Sequence, residues 1–239
     1  MTTPRIARLT HDHVARVHRD IADPGPVLIE GYRPADDADY AAEVDRILDT
    51  APTSEQFWVF ASGSLIWNPP YQVVEQRTGT AAGWHRSFTL GWDYRFRGSR
   101  ETPGLMMAMD RGGHCRGVVH RLPDETLRAE LDILIRREMS MVPTAFPPRW
   151  IKVRTEQGPV SALAFPMNRR SSRYIGALGP EETADILATA CGFRGSMAEY
   201  LRATVEQLEA LGIHDTYLWT LQSLVADRIE AMHGDRGVE

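Results

Sequence analysis

The spacing of hydrophobic residues divides the chain near residue 57 and again at Pro180. Before residue 57 the periodicity is weak, and it predicts only a short helix over Asp39–Leu48. From residue 57 onwards, short apolar runs alternate with glycine, proline and charged turns, which is typical of β-strands. The predicted strands are Phe57–Ala61, Gln76–Ala82, Ser87–Trp92, Leu105–Met109, Gly117–Leu122, Trp150–Thr155 and Val160–Phe165.

After Pro180 the pattern is helical to the end of the chain, because apolar residues recur three and four positions apart. Pro180 suits the first position of a helix, and Ser196 with Glu199 forms a capping box for the next one. Asp215 is placed to cap a last helix. One further helix, predicted from Asp124 to about Ser140, interrupts the series of strands.

This order of elements predicts an α+β fold. We expect a mostly antiparallel, barrel-like sheet with one inserted helix, and with the C-terminal helices packed outside. Residues 1–55 are predicted to be an N-terminal extension, packed on or trailing from a main domain over residues 56–232. The extension carries His11, His13 and His18. Their polar surroundings predict a surface tail rather than a metal site.

Composition narrows the class of protein. The formal net charge of -5 argues against a nucleic-acid surface. The two cysteines, Cys115 and Cys191, have no paired spacing, which excludes a disulfide scaffold and a cysteine zinc site. No apolar stretch approaches the roughly 20 residues of a membrane helix, and no secretory signal is recognisable. The sequence therefore predicts a cytoplasmic protein that binds neither nucleic acid nor membrane.

A carboxylate falls on the apolar face of the inserted helix. At about 100° per residue, Glu138 continues the apolar stripe that runs through Leu127, Leu131, Leu134 and Ile135. Burying a charge without a partner is costly, so three interpretations stay open. Glu138 lies at a fraying helix end, pairs with a nearby arginine, or is a pocket carboxylate. In the third case desolvation raises its pKa towards that of a general base.

A second candidate feature is the turn after the first strand, Ala61-Ser62-Gly63-Ser64-Leu65. Gly63 permits a close backbone approach, and a Gly-Ser turn leaves amide N–H groups that suit a carboxylate or a carbonyl oxygen. The alternative is a plain β-turn. A nucleophilic role for Ser64 is disfavoured, because the Gly-x-Ser-x-Gly elbow is absent and no motif indicates a partner histidine.

These features lie within a longer series of motifs that resembles the ChaC-type, glutathione-specific γ-glutamylcyclotransferases. The resemblance covers about residues 57–229 and leaves the N-terminal extension outside it. The matching stretches are Trp58-Val-Phe-Ala-Ser-Gly-Ser-Leu-Ile-Trp-Asn-Pro69, Gly79-Thr80 to Gly83-Trp84-His85-Arg86, Arg97-Gly98 to Pro103-Gly104, Gly117-Val-Val-His-Arg-Leu122, Arg137-Glu138-Met139, Pro148-Arg149-Trp150, Tyr174-Ile175-Gly176, Glu199-Tyr200-Leu201 and Leu211-Gly212-Ile213-His214-Asp215.

The resemblance implies a fold, a reaction and a site. In that family the glutamate of the Arg-Glu-Met motif, here Glu138, is the catalytic base. The turn after the first strand holds the γ-glutamyl group, which implies the substrate-binding residues Ala61, Ser62, Gly63, Ser64, Leu65 and Ile66. Glutathione is cut to 5-oxoproline and Cys-Gly with no cofactor and no metal. Further candidate substrate contacts are Arg95, Arg97 and Tyr174.

Two departures from the family pattern bear on specificity. The tyrosine of the family's Tyr-Gly-Ser-Leu is Ser62 here, which removes an aromatic wall from the turn. The stretch after Arg-Glu-Met is Ser140-Met-Val-Pro-Thr-Ala-Phe146 instead of a glycine-rich segment with tyrosine. Two alternatives therefore stay open. One is a cyclotransferase for another γ-glutamyl amide or amine, and the other is a catalytically weak binding or regulatory protein on the same fold.

Overall fold

The structure, a computed structural model, describes residues 5–52 and 56–234. Its helices are α1 His11–Val17, α2 Asp37–Asp49, α3 Leu127–Glu138, α4 Pro180–Thr189, α5 Met197–Ala210 and α6 Thr216–His233. Its strands are β1 Arg33–Pro34, β2 Trp58–Ala61, β3 Glu75–Asp93, β4 Gly104–Arg121, β5 Met141–Val142, β6 Arg149–Thr155, β7 Gly158–Ala164, β8 Cys191–Gly192 and β9 Gly195–Ser196. Each predicted helix or strand falls on an element of the structure, although two pairs of predicted strands are merged into β3 and β4.

The chain divides into two compact units. The helical unit combines the described residues up to Val27 with Phe88–Met107 and the described residues from Ile175 onwards. The barrel unit combines Leu28–Ser87, as far as the structure describes it, with Ala108–Tyr174. The predicted boundary between an extension over residues 1–55 and a domain over residues 56–232 stays a prediction.

The barrel closes in the strand order β2-β4-β3-β6-β7. The strand β2 runs antiparallel to β4, and β6 runs antiparallel to both β3 and β7. The closing pair, β2 with β7, is parallel. Because side chains alternate along a strand, every second residue reaches the barrel core. Examples are Trp58 and Phe60 on β2 and the smaller Ala162 and Ala164 on β7. The predicted α+β barrel is confirmed.

Two pairs of predicted strands are each one long strand. The predicted break between residues 82 and 87 is wrong, because β3 is continuous over Glu75–Asp93. The predicted break between residues 109 and 117 is also wrong, because β4 is continuous over Gly104–Arg121. The turn signals at these points are glycines that the strands accommodate with positive φ, such as Gly83 (φ +82°). Glycine adopts such angles readily, so it does not have to end a strand.

The inserted helix α3 and the predicted N-terminal helix lie together in the barrel unit. Leu131, Leu134 and Ile135 of α3 are fully buried. The helix α2 packs against α3 and buries Val44 and Ile47. Part of the predicted extension is therefore built into the same unit as the candidate base.

The helical unit holds the other part of the extension. The helix α1 packs against α5 and α6, and α4 packs against both of these helices as well. The prediction of a surface tail is wrong for His13, which is 9% exposed. Its Nε2 lies 3.0 Å from a carboxylate oxygen of Glu230. His13 and Val17 form the buried side of α1. The sequence did not reveal this side, because a helix of seven residues is too short to show a clear periodicity.

Among the described residues, the structure has no helix that is long and apolar enough to cross a membrane.

Candidate active site

Glu138 is the last residue of α3, and its side chain is 21% exposed. It follows Leu134 and Ile135, whose burial carries the helix end into the protein. Desolvation raises the pKa of the Glu138 carboxyl above its usual range, and the charge of Arg137 acts in the opposite direction. Within the described residues no hydrogen bond donor reaches this carboxylate. Its ion-pair partner is Arg137, with Nε 3.6 Å from Oε1.

The guanidinium of Arg137 faces the turn after β2. It donates to Ser64 Oγ over 2.9 Å and also to the main-chain oxygen of Asn68. Two of its donors are therefore used on the turn, and the third nitrogen lies at the longer distance from Glu138. Arg137 thus brings the predicted base and the predicted binding turn together within the barrel unit. The same contact occupies the Ser64 hydroxyl, in keeping with a non-nucleophilic Ser64.

The turn itself is a short 3₁₀ segment, Ser64–Ile66. Its first hydrogen bond runs from Ile66 N–H to Gly63 oxygen over 2.9 Å. The geometry of a helix start leaves the preceding N–H groups, those of Ser64 and Leu65, without an acceptor in the helix. A β-turn makes the same hydrogen bond, so the binding role of this turn stays a prediction, although its leading amides suit a carbonyl or carboxylate oxygen.

A buried arginine holds the other side of this turn. Arg86 on β3 is 4% exposed, and its Nε donates to the main-chain oxygen of Ser62 over 2.5 Å. It also donates to the main-chain oxygen of Arg116 on β4. Gly117 next to it leaves room for the turn, because a Cβ there would collide with Ala61 oxygen and lie 2.9 Å from the Phe60 ring. The turn is therefore fixed by Arg86 on one side and Arg137 on the other.

A series of hydrogen-bonded polar groups starts beside Glu138 and consists of buried Tyr71, buried His120 and exposed Gln76. The hydroxyl of Tyr71 lies 3.0 Å from Nδ1 of His120, and Nε2 of His120 lies 3.1 Å from Oε1 of Gln76. Burial lowers the pKa of His120 to about 4, so the imidazole is neutral near pH 7. An Nε2–H that donates to Gln76 leaves Nδ1 as acceptor of the Tyr71 proton. Burial and the Glu138 charge both raise the pKa of the phenol.

Tyr174, predicted as a substrate contact, also lies in the barrel unit, where its hydroxyl donates to Asp110. The distance from its oxygen to Oδ2 is 3.1 Å. The other carboxylate oxygen of Asp110 accepts from Arg169 Nε over 2.7 Å and from the N–H of Arg111 over 2.7 Å. The Arg169 guanidinium also lies over the Tyr174 ring, 5.8 Å from its centroid. Tyr174 is thus held by a polar cluster, and its contact with substrate stays a prediction.

Arg95 and Arg97 belong to the helical unit, and each is paired with a carboxylate there. Arg95 donates to both oxygens of Asp23, over 2.7 and 2.8 Å. Arg97 donates to Glu199 over 2.5 Å. The predicted capping box is therefore half formed. Ser196 accepts from the N–H of Glu199, whereas the Glu199 carboxylate binds Arg97. A substrate carboxylate would have to compete with these pairs, and the predicted role of both arginines stays a prediction.

The sequence reasoning missed Tyr71, Arg86 and Arg137 as parts of the site. Arg86 and Arg137 stand inside quoted motifs, so their positions beside the turn and beside Glu138 were the available signal. Tyr71 had none, because a tyrosine after two prolines is typical of a loop. His120 lies on β4, and its two ring nitrogens are hydrogen-bonded to Tyr71 and Gln76. In the described part of the chain, no group of three or more His, Cys, Asp or Glu side chains is arranged to hold a metal.

Comparisons with known proteins identify the fold and the family of this chain. The fold is that of the γ-glutamylcyclotransferases. A yeast enzyme specific to glutathione superposes with a TM-score of 0.66 at 19% identity, over 73% of this chain and 97% of that one. The chain belongs to the ChaC-like protein family, whose pattern matches residues 57–228.

Two curated relatives have names that state a substrate. The glutathione-specific γ-glutamylcyclotransferase of Escherichia coli is 37% identical over 176 residues, which cover 73% of this chain and 75% of that protein. The glutathione-specific γ-glutamylcyclotransferase 1 of Mus musculus is 30% identical over 183 residues, which cover 69% of this chain and 79% of that protein. In both cases the similarity is to most of the relative's length.

Proposed function

We propose that this protein is a γ-glutamylcyclotransferase that cleaves glutathione into 5-oxoproline and Cys-Gly, with Glu138 as general base and acid. One observation carries the assignment of the base. In a ChaC-like chain, a carboxyl with a raised pKa ends a helix, beside an arginine that binds the turn after β2. The names of the relatives support glutathione as the substrate.

The reaction needs little from the protein, because the nucleophile is part of the substrate. The α-amine of the γ-glutamyl group attacks the γ-carbonyl carbon, a five-membered lactam closes, and the C–N bond to cysteine breaks. The site has to fold the γ-glutamyl chain into a conformer in which these atoms meet. The N–H groups of Ser64 and Leu65 are the candidate donors for the carboxylate or for the oxyanion that develops at the γ-carbonyl.

Glu138 has to move a proton twice. It first takes a proton from the α-ammonium, which makes the amine nucleophilic, and releases this proton to solvent. As the lactam closes, it takes the second proton of the same nitrogen and passes it to the departing nitrogen. A carboxyl with an ordinary pKa is a weak base towards an ammonium group near pH 7. A raised pKa brings it closer to the working pH, which favours both transfers. The desolvated end of α3 provides this shift.

The substrate supports a cytoplasmic location as part of the proposal. Glutathione is the main small thiol of reducing compartments. Cys115 and Cys191 are both buried and are not joined in a disulfide, as suits a protein in such a compartment.

A second candidate function is cyclisation of another γ-glutamyl amide or amine. Ser62 stands where the family has tyrosine, so the turn lacks an aromatic wall. The stretch after Glu138 forms β5, which pairs with β1. In this candidate function, both changes alter the surroundings of the leaving amine, whereas the base Glu138 is retained. The relative rates with glutathione and with other γ-glutamyl peptides distinguish the two candidates.

The test is 5-oxoproline release from glutathione by the purified protein, in the presence of a chelator, beside Glu138→Gln and Glu125→Gln. Glu125 is an exposed glutamate just before α3, so its variant controls for the loss of a negative charge near that helix. We expect the wild type and Glu125→Gln to release 5-oxoproline. We expect Glu138→Gln to lose about 100-fold or more, the usual contribution of a general base.

Two outcomes would contradict the proposal in different ways. Folded wild-type protein that releases no 5-oxoproline from glutathione would move the assignment to another γ-glutamyl compound or to a binding role. Equal release by the wild type and Glu138→Gln would retain the reaction but reject Glu138 as its base.

A further inference from the structure

The residues on the N-terminal side of Glu138 are tied to the segment before the barrel. The guanidinium of Arg136 donates to Asp37 Oδ1 over 2.7 Å, and its carbon lies 4.6 Å from the centre of the Tyr40 ring. Asp37 and Tyr40 both belong to α2. The last turn of α3 is therefore held from outside by an ion pair and by a cation–π contact.

The residues on the C-terminal side of Glu138 are tied to the same segment through the main chain. The N–H of Ala35 donates to the oxygen of Ser140 over 3.2 Å. The strands β1 and β5 then pair antiparallel, with Arg33 opposite Val142 and Pro34 opposite Met141. The chain that leaves Glu138 thus runs directly into a small sheet with the N-terminal segment.

This segment is itself well anchored. Asp36 caps α2 in a capping box with Asp39. Arg33 binds both carboxylate oxygens of Asp39, over 2.5 and 2.7 Å. Ile47 is fully buried where α2 packs against α3. A segment with such anchors is fixed well enough to restrict the movement of the residues on either side of Glu138.

The ends of helices fray, because their last main-chain groups lack partners within the helix. Glu138 is such a terminal residue, yet its carboxylate has to meet the substrate within a fraction of an ångström. A misplacement of about 1 Å can lower the rate about 100-fold. The contacts of Arg136 and of Ser140–Val142 remove this freedom on both sides of the residue, while Arg137 binds the turn.

We propose that the segment Arg33–Tyr40, which lies outside the part matched by the family, positions Glu138 in the active site. The inference rests on the proposed function, since it assumes that Glu138 is the base. Asp37 and Tyr40 are then positioning residues that act through Arg136. They touch neither the substrate nor the reacting atoms.

The chain offers a matched control for this inference. Asp45 of α2 pairs with Arg128 of α3 over 2.7 Å, the same distance as between Asp37 and Arg136. Both pairs join the same two helices, but Arg128 stands near the start of α3 and Arg136 near its end. Loss of either ion pair weakens the packing of the helices, and only the pair at Arg136 adjoins Glu138.

The experiment measures kcat and KM for glutathione in the full-length wild type, in Asp37→Asn/Tyr40→Leu and in Asp45→Asn, together with their melting temperatures. We expect kcat of the double variant to fall about tenfold with KM changed less than about twofold. We expect Asp45→Asn to keep kcat within about twofold of the wild type. The single variant Asp37→Asn removes only an exposed ion pair, so it folds, and it should lose about threefold in kcat.

Three results would overturn the inference. They are an unchanged kcat in the folded double variant, an equal loss in Asp45→Asn, or, if the double variant does not fold, an unchanged kcat in Asp37→Asn. Restoration of kcat by Asp37→Glu would support it. Absence of turnover by the wild type contradicts the proposed function instead, so the two failures are distinguishable.

Discussion

Two carboxylates of the barrel unit differ in an instructive way. The side chain of Asp110 is 3% exposed, whereas that of Glu138 is 21% exposed. Burial acts to raise the pKa of both groups. The pKa of Asp110 is nevertheless lowered, and the pKa of Glu138 is raised. The carboxyl whose side chain is less exposed to solvent is therefore the stronger acid.

Hydrogen bond donors account for this difference. Asp110 accepts from Arg169, from the N–H of Arg111 and from Tyr174, and together these donors outweigh the effect of burial. Glu138 has Arg137 at 3.6 Å, and the donors of that guanidinium are directed at the turn. Burial alone thus does not mark a base. A base is indicated instead by a desolvated carboxylate whose nearest cation donates its hydrogen bonds to another group.

The largest effect that the comparison predicts is on stability. Asp110→Asn should lower the free energy of unfolding by about 2 kcal/mol at pH 7, because charge-assisted hydrogen bonds to a buried group are lost. Urea denaturation measures it. A lowered pKa contributes stability that is present above the ordinary aspartate value of 3.8 and is lost as pH falls, so the difference should shrink in acid. Asp124→Asn, with a 62% exposed side chain, is the control. Equal losses in both variants would contradict the account.

Loss of the hydrogen bond between Tyr71 and His120 should lower the free energy of unfolding by a somewhat smaller amount. Tyr71→Phe removes the hydroxyl that donates to Nδ1 of buried His120, which leaves an acceptor without its donor. The expected loss is about 1–2 kcal/mol in the free energy of unfolding, again by urea denaturation. The ring is kept, so no cavity forms. An unchanged stability would mean that the Tyr71 hydroxyl is not held by His120.

The pH dependence of the reaction tests whether the catalytic base has a raised pKa. Glu138 acts as a base only when it is ionised, so kcat/KM should rise with pH through its pKa. Because that pKa is raised, the acid limb should lie above the ordinary glutamate value of 4.5. Steady-state rates with glutathione across the acid range measure the limb. A rate that is already constant below pH 4.5 would exclude a raised pKa for the base.

The smallest effect is a gain in stability. A raised pKa means that the native state favours protonated Glu138, so its contribution to stability is full below 4.5 and declines as pH rises through the native pKa. Glutamine does not titrate. Glu138→Gln should therefore be slightly more stable than the wild type at neutral pH and should lose this advantage in acid. Melting temperatures at several pH values measure it, and a variant that is less stable at every pH would contradict the prediction.

Sequence reasoning recovered much of the fold because its signals are local. The alternation of apolar residues located β2, β6 and β7, and Pro180, Ser196 and Asp215 mark the starts of α4, α5 and α6. The same reasoning misjudged β3 and β4, because a glycine inside a strand and a glycine in a turn look alike along the chain. His13 was misjudged because its partner Glu230 is distant in sequence.

The candidate site, too, was predictable only where the signal is local in the sequence. Glu138 was predicted as a candidate because periodicity put it on the apolar face of α3. The other contacts of the site were not predictable, since Tyr71 and Arg86 come from separate segments that only the fold brings near Glu138 and near the turn. The opposite behaviour of Asp110 and Glu138 depends on the number of donors around each carboxylate. That number is a property of the folded chain.

The most direct test is a titration of the two carboxyl groups by carbon NMR on isotope-labelled protein, with signals assigned through Glu138→Gln and Asp110→Asn. The account predicts a midpoint above 4.5 for Glu138 and a midpoint below 3.8 for Asp110. A Glu138 midpoint at or below 4.5 would contradict it, because the desolvated end of α3 would then not tune this carboxylate as a base.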